Sequence, residues 1–240
     1  FDNGGKELYD QLWSEMGMNV KGFVMASSGP EALGWFKEPI KNMDDFRKYR
    51  FRTPPGIPGQ TYKDIGIASV SLSGGDILPA LEKGTIDAAE WCCPKPDSVF
   101  GFQKVLKNYY LQGLHQNVVN GDIYINGDVY NSLTDHQKYA MEVASEAMIT
   151  RNITNRAVEN GKALIDLTEN HGVKLWDTPA DYFTEYMNAA QATLKKNAAS
   201  NAFFKEVYEH MTAHAKIVVP FIAQMETSDA SIGTAFASQQ

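Results

Sequence analysis

Apolar side chains recur at intervals of three and four residues in several stretches of this chain, which predicts amphipathic helices. In the first stretch, residues 5–17, Leu8, Leu12 and Trp13 follow this spacing. Thr134 precedes a much longer stretch and supplies the side chain that commonly caps a helix N-terminus. The predicted helices cover residues 5–17, 62–65, 76–83, 135–169, 179–197 and 201–224, the last interrupted near Pro220 and followed by a frayed tail from Ser228.

Shorter stretches of apolar residues, alternating with polar ones or continuous, predict β-strands. The predicted strands are residues 20–25, 49–53, 68–72, 86–91, 118–124 and 173–176. A turn rich in proline and glycine, residues 54–59, ends the second of them. Because strands and helices follow one another in turn, the pattern predicts an α/β fold with a largely parallel sheet.

Composition and charge then limit the class of partner. Hydrophobic residues make up 43% of the 240 positions and charged residues 21%, as in ordinary globular proteins. The net charge of −7 argues against a nucleic-acid or anionic-membrane partner. No apolar stretch approaches the roughly 18 residues that a membrane-spanning helix needs. Phe1 is not a natural start, so we expect a processed or truncated chain.

Arg52 ends a predicted strand directly before the proline-rich turn. Open α/β sheets bind ligands at strand ends that face a cleft, and a guanidinium there can hold a carboxylate with two parallel hydrogen bonds. Arg50 lies two residues earlier and therefore on the same face of the strand. Periodicity does not choose between the two arginines, and a surface role for Arg52 stays open.

Glu90 lies inside an otherwise apolar strand, next to Trp91. A buried carboxylate is costly unless a positive group compensates it, and a hard cation such as Ca²⁺ or Na⁺ prefers carboxylate and carbonyl oxygens. The alternative is that Glu90 points to solvent while Trp91 packs inward. Glu31, in a tight loop after Gly29 and Pro30, is a second acid that either joins such a site or is simply solvated.

Three further polar residues are weaker candidates. Asp97 follows two prolines and is expected to cap the next helix rather than to bind metal. His115 could donate a hydrogen bond to a keto or hydroxyl oxygen of a ligand, or could be a structural histidine. Tyr109 and its neighbour Tyr110 are expected in the core.

Cys92 and Cys93 are the only cysteines and are adjacent. A disulfide between neighbours strains the peptide, so we expect two free thiols. A thiol-dependent hydrolase using one of them with His115 is the enzyme alternative. It is disfavoured because the thiols lack an adjacent glycine turn to form an oxyanion hole, and Pro94 follows at once.

Several ordered motifs resemble the DctP-type solute receptors of TRAP (tripartite, ATP-independent) transporters. The resemblance covers nearly the whole chain and follows the branch that binds pyruvate, other 2-oxo acids or lactate with a metal ion. The motifs are SGPEALGWFKEPIKNMDDF (residues 28–46), RFRTP (50–54), LPALEKGTIDAAEW (78–91), FGF (100–102), YY (109–110) and GLH (113–115).

This resemblance implies roles for individual residues. Arg52 matches the arginine that grips the ligand carboxylate. Glu90 and Trp91 match the metal-binding pair, the first through its carboxylate and the second through its backbone carbonyl. Glu31 stands where relatives usually carry a metal-binding glutamine, and a second carboxylate favours Ca²⁺ over Na⁺. We therefore expect ligand contacts from Arg52, Glu31, Trp91 and His115, and metal contacts from Glu90, Trp91 and Glu31.

The resemblance also implies a periplasmic-binding-protein-like fold with two lobes joined by a hinge and long C-terminal helices. The lobe formed by the N-terminal part of such receptors is expected to be incomplete in this chain. The expected layout is residues 1–89 as the first part of the second lobe, 90–123 as a crossover into the first lobe, 124–200 as a return with a long hinge-spanning helix, and 201–240 as a C-terminal helix and tail.

Capture without catalysis is the function that the resemblance implies. A small carboxylate would be bound in the periplasm and delivered to the TRAP membrane permease. An apolar stripe in the last helix could in addition support a homodimer, as in some receptors of this branch, or pack within the chain. The stripe consists of Phe203, Phe204, Val207, Tyr208 and Met211.

Overall fold

The structure is a computed structural model that describes residues 3–237. The chain divides into two compact units. One runs from Met16 to Thr193, and the other combines residues 3–15 with the chain from Leu194 onward. No helix within residues 3–237 is long and apolar enough to cross a membrane.

Helices and strands alternate along most of the chain, as the pattern predicted. The helices are α1 (Gly5–Glu15), α2 (Met43–Phe46), α3 (Ile57–Asp64), α4 (Gly74–Glu82), α5 (Pro94–Phe100), α6 (Gly127–Ser132), α7 (Asp135–Asn170), α8 (Ala180–Ser200) and α9 (Ala202–Ala237). The strands are β1 (Val20–Ser28), β2 (Gly34–Phe36), β3 (Arg50–Arg52), β4 (Ala68–Val70), β5 (Ala88–Ala89), β6 (Asn108–Tyr110), β7 (Val119–Asn126) and β8 (Lys174–Trp176).

The larger unit contains a six-stranded sheet in the order β4-β3-β5-β2-β6-β8 and a two-stranded antiparallel ribbon of β1 and β7. Strand β3 runs parallel to both of its neighbours, and β6 runs parallel to β8. Strand β2 is antiparallel to β5 and to β6. The expectation of a largely parallel sheet was therefore wrong in the middle of the sheet, where the unpredicted strand β2 is inserted.

Side chains on opposite faces of the six-stranded sheet pack into two separate hydrophobic cores. Successive residues of a strand point to opposite faces. Trp35 accordingly joins one cluster and Phe36 the other, and Tyr109 and Tyr110 divide between the same two clusters. All four rings are fully buried, which confirms the core prediction for the two tyrosines.

Gly34 allows β2 to lie close to β5. Its φ of +127° is a conformation that L side chains rarely adopt, and an added Cβ would meet the carbonyl oxygen of Ala89 at 2.5 Å. Gly34→Ala is expected to lower the free energy of unfolding by about 1–3 kcal/mol, measured by chemical denaturation. Gly75→Ala is the control, because nothing lies within 4 Å of its Cβ position in α4. Equal losses in the two variants would contradict this account.

The long C-terminal helix differs from its prediction. Helix α9 continues past Pro220 as far as Ala237, so neither the predicted interruption nor the frayed tail from Ser228 is found; residues 238–240 lie outside the described residues. Proline has no backbone N–H, so one carbonyl in the preceding turn of the helix lacks its hydrogen bond. Because Pro220 is exposed, that carbonyl can face water. In the apolar stripe defined above, Met211 is 64% exposed and the other four side chains are half-buried.

Candidate functional site

Arg52 is buried at the C-terminal end of β3, with only 5% of its surface exposed. Its Nη1 donates to the Glu90 carboxylate at 2.5 Å and to the Glu90 backbone carbonyl at 2.8 Å. Its Nε and Nη2 both donate to the carbonyl of Leu72 at 3.1 Å. Burial lowers the pKa of Arg52, while the neighbouring Glu90 and Glu31 act in the opposite direction. The guanidinium stays charged at neutral pH, because arginine starts from a pKa above 12.

Arg50 has a different environment, which resolves the ambiguity between the two arginines. It is exposed and forms a two-point ion pair with Asp87, with both N···O distances at 2.8 Å. It also donates to the carbonyl of Gly84 at 2.7 Å. Arg52 is therefore the arginine that faces the interior.

Glu31, Glu90 and His115 form a buried cluster beside this guanidinium. One ligand atom from each lies within 4.8 Å of the other two. The His115 Nε2 is 3.6 Å from Glu31 Oε2 and 3.4 Å from Glu90 Oε2. None of these three atoms has a hydrogen-bond partner among residues 3–237. Buried carboxylate oxygens that no hydrogen bond satisfies are costly, so the two glutamates suit a hard cation that prefers oxygen ligands.

The two glutamates of this cluster change the pKa of His115. Burial lowers the pKa of His115, but the two adjacent carboxylates, Glu31 and Glu90, outweigh burial and raise it to about 9. Its second ring nitrogen, Nδ1, is 3.3 Å from the hydroxyl of Tyr62. The cluster thus favours a positive charge next to the two glutamates.

Trp91 follows Glu90 and is half-buried. Its ring lies over the guanidinium of Arg52, with 5.0 Å between the guanidinium carbon and the ring centroid. Phe100 also packs against the indole, at a centroid distance of 4.8 Å. This packing restrains both the arginine and the backbone that follows β5.

One cavity of about 390 Å³ brings most of the predicted site residues together. Glu31, Arg52, Glu90 and Trp91 all line it, whereas His115 lies behind the two glutamates. The glutamates come from the loop before β2 and the end of β5, and the arginine comes from β3, which pairs with β5. Pairing of β3 with β5 is therefore what assembles residues that are 38 positions apart.

Asp97 is fully buried and does not line the cavity, but its carboxylate contacts residues next to the site. Its carboxylate accepts from the indole N–H of Trp35 and the hydroxyl of Tyr109, both at 2.9 Å. It also accepts from the backbone N–H groups of Cys92 and Cys93, at 3.0 and 3.2 Å. Burial raises the pKa of Asp97 to about 7, against the effect of the hydrogen bonds. Asp97 lies inside α5 and its N-cap is Cys93, so the simple capping prediction was wrong.

Asp97→Ala is expected to lower the free energy of unfolding by about 3–5 kcal/mol, because three buried donors and one partly buried donor lose their common acceptor. Asp44→Ala is the matched control, since its side chain is 86% exposed and its ion pair with Arg47 contributes at most about 1 kcal/mol. Urea denaturation followed by tryptophan fluorescence measures both. A loss at Asp97 no larger than the loss at Asp44 would contradict the supporting role.

Arg156 was missed by sequence reasoning. It projects from α7 into the same cavity, and its Nη2 donates to the Sγ atoms of Cys92 at 3.1 Å and Cys93 at 2.7 Å. The contact with the Cys92 thiol and the charge of Arg156 lower the pKa of the Cys93 thiol against the effect of burial, whereas the same thiol contact and burial raise that of Cys92. No local sequence pattern reveals this contact, because Arg156 is 64 positions from Cys92.

The thiol–histidine pair that a hydrolase would need is not formed. Both cysteines are free thiols, as expected, and their sulfurs contact Arg156. The ring nitrogens of His115 instead face Tyr62 and the two glutamates.

Comparison with known proteins agrees with this geometry. The family model for bacterial extracellular solute-binding proteins, family 7 (DctP), matches residues 3–201. A monocarboxylate 2-oxoacid-binding periplasmic protein of Nostoc sp. (strain PCC 7120) is 33% identical over 223 residues, which cover 90% of this chain. The chain spans only 58% of the length of that relative.

Two solved structures show the same fold. A TRAP transporter solute-binding protein of Bordetella bronchiseptica RB50 has a TM-score of 0.90 and is 28% identical; the match covers 99% of this chain and 70% of the Bordetella chain. That structure is described as a mixed-occupancy dimer, with copurified calcium and picolinate bound in one active site and an apo site for comparison. A TRAP periplasmic solute-binding protein of Colwellia psychrerythraea, with bound calcium and pyruvate, has a TM-score of 0.85 and 24% identity over 97% of this chain and 69% of its own.

These likenesses confirm the mixed α/β fold of the TRAP receptors that the motifs implied. The family model covers most of the chain, and the proteins that it resembles are named as binding proteins of the periplasm. This chain belongs to family 7 of the bacterial extracellular solute-binding proteins, the DctP family.

Proposed function

We propose that this protein binds a small 2-oxo monocarboxylate such as pyruvate, together with Ca²⁺ in preference to Na⁺, in the periplasm. The observation that carries the proposal is the meeting of one buried guanidinium and two buried carboxylate oxygens that no hydrogen bond satisfies, at one cavity. The Nostoc relative is named for binding the same class of ligand, and the Bordetella protein was described with calcium. Lactate is the alternative ligand within the same proposal.

Arg52 is the group that would hold the ligand carboxylate. Its Nε and Nη2 both donate to one neutral acceptor, the carbonyl of Leu72. A ligand carboxylate that replaced this carbonyl would form charge-assisted hydrogen bonds with two nitrogens of a planar group. The indole of Trp91, stacked over the guanidinium, helps to keep that plane fixed.

Glu31 and Glu90 would hold the cation through their carboxylates, and Trp91 through its backbone carbonyl. His115 would stay behind the glutamates, where its contacts orient both. A hard cation bound there would neutralise the carboxylates and offer coordination to the ligand's oxygens. The charges of Ca²⁺, one monocarboxylate, two glutamates and Arg52 cancel, so Ca²⁺ would replace the compensating proton that His115 carries in its absence. Na⁺ would reach the same balance only with His115 still protonated, and that positive charge, 3.4–3.6 Å from the same carboxylate oxygens, would repel the ion.

Isothermal titration of pyruvate into chelator-treated protein tests this proposal. With Ca²⁺ restored we expect binding, with Na⁺ alone weaker binding, and with chelator little or none. L-Lactate and longer 2-oxo acids rank the ligand class, and succinate serves as a dicarboxylate comparison. Equal affinity for pyruvate with and without Ca²⁺ would contradict the metal-assisted site, and no binding of any monocarboxylate would contradict the ligand class.

Delivery to a TRAP-type membrane permease is part of the same proposal, and membership of the DctP family supports it. The two-lobe layout expected from the motifs would close on the ligand before docking. Closure requires higher affinity for ligand in the closed form than in the open one.

We also propose that α9 takes part in a homodimer. Exposed apolar side chains recur along this helix, among them Met211, Ile217, Phe221 and Met225. Sedimentation velocity of a Phe221→Glu variant tests the idea, with Glu226→Gln as a polar control on the same exposed stretch. A parent protein that sediments as a monomer at micromolar concentration would overturn it.

A further inference from the structure

Cys92, Cys93 and Arg156 form a cluster that the proposed capture of a carboxylate does not require. Both sulfurs contact the same nitrogen of the Arg156 guanidinium, at 3.1 and 2.7 Å. The sulfurs therefore converge on one point instead of diverging from adjacent residues. Two convergent thiols are a bidentate donor set for a soft, thiophilic centre.

The cluster lies in the wall between two cavities. Cys92 lines the cavity of about 390 Å³ that also contains Arg52 and Glu90. Cys93 lines a second cavity of about 320 Å³, next to Asn160. Arg156 lines both. A small reagent can therefore approach the sulfurs from space that already exists, although Cys93 itself is only 6% exposed.

Geometry and charge select among the species that could join the two sulfurs. Consecutive Cα atoms are about 3.8 Å apart, shorter than the roughly 4.4–6.8 Å that a disulfide spans, so a direct S–S bond strains the peptide. A bridging atom between the sulfurs removes that constraint. A divalent soft metal would need further ligands besides the two sulfurs, and the adjacent guanidinium has no acceptor atom to supply one. A trivalent centre that carries one substituent of its own needs only the two sulfurs.

We propose that Cys92 and Cys93 form a dithiol site for monosubstituted trivalent arsenicals, with Arg156 as the residue that positions the sulfurs. The reagent enters as an organoarsenic dihydroxide. Two S–As bonds form and two As–O bonds break. Each thiol proton leaves with one hydroxide as water, so no atom changes oxidation state and no further reactant is needed. The product is neutral, which suits the guanidinium beside it.

Phenylarsine oxide is the probe, and intact-mass spectrometry of the whole chain is the readout. One adduct per chain is expected, with loss of both titratable thiols. The adduct should persist in excess 2-mercaptoethanol and be removed by 2,3-dimercaptopropanol, because only a dithiol replaces both sulfurs at once. In the parent protein, either an adduct that 2-mercaptoethanol removes or the absence of any adduct would overturn the proposal.

Variants separate the three residues. Cys92→Ser and Cys93→Ser should each lose the monothiol-resistant adduct. Arg156→Gln should slow its formation about tenfold, as expected for loss of a hydrogen bond to a charged group. Arg151→Gln is the matched control, because Arg151 is an exposed arginine on the same helix. Thermal melts establish that each variant is folded; a stable adduct in either single-cysteine variant, or equal rates for both arginine variants, would contradict the assignment.

Discussion

Arg52→Ala is expected to lose about 2–5 kcal/mol of binding free energy for pyruvate, which corresponds to a weakening of roughly 30-fold to several-thousand-fold. The reason is the loss of the charged, planar donor at the cavity. Calorimetric titration in the presence of Ca²⁺ measures the effect. A variant that binds within a few-fold of the parent would rule out the role proposed for Arg52.

The same substitution is also expected to destabilise the fold, because the structure pairs Arg52 with Glu90. Glu90 is fully buried, and leaving it without its cationic partner costs about 3–5 kcal/mol. Arg52→Lys separates the two effects, since lysine keeps the charge but not the two-point geometry. It should retain most of the stability and still bind weakly.

Arg50→Gln is the matched control for both variants. Arg50 lies on the same strand, but its side chain is half exposed and pairs with Asp87. Exposed pairs contribute at most about 1 kcal/mol, so stability and binding should both stay close to the parent values. A large loss of binding at Arg50 would mean that general charge, rather than a positioned guanidinium, attracts the ligand.

Glu31→Gln is expected to weaken Ca²⁺ binding by about 2–4 kcal/mol, on the order of 100-fold, while affecting Na⁺ much less. The amide keeps an oxygen that can bind metal but removes one negative charge, and a dication loses twice the Coulomb energy that a monocation loses. Competition titrations of Ca²⁺ and Na⁺ measure the ratio. Because Glu31 is buried beside Glu90, the effect should not be masked by solvent.

Glu38→Gln removes the same charge from an exposed position seven residues away. It should leave the preference between the two ions unchanged. If both variants shifted the ratio equally, the net charge of the protein would be responsible and Glu31 would not be a metal ligand. An unchanged ratio in Glu31→Gln would contradict the preference for Ca²⁺ proposed from two carboxylates.

Elements with local signals were predictable from the sequence. Helix α7 was expected over residues 135–169 and is found over Asp135–Asn170, because Thr134 and Gln137 form a complete capping box at its start. Strands β2 and β6 were not predicted. Each has only three residues, all of them buried, so neither shows the alternation of polar and apolar positions that marks a half-exposed strand.

The site was predictable only as far as the motif resemblance extended. Spacing alone left Arg50 and Arg52 equivalent and left Glu90 either buried or solvated. The parallel pairing of β3 with β5 joins residues that are distant in sequence. It buries Glu90 and places it next to Arg52 rather than Arg50. Arg156 belongs to a helix far along the chain and carries no local mark of its contact with the two cysteines.

The Arg52–Glu90 pair also bears on how the sheet finds its alignment during folding. Strand β5 has only two residues, both alanine, so side-chain shape does little to define its register against β3. A slip of two residues would keep every side chain on its original face. Such a slip would bury Glu90 away from Arg52 and also separate Arg50 from Asp87. A receptor that evolved towards uncharged ligands and lost Arg52 would therefore depend on the exposed Arg50–Asp87 pair alone to align these two strands.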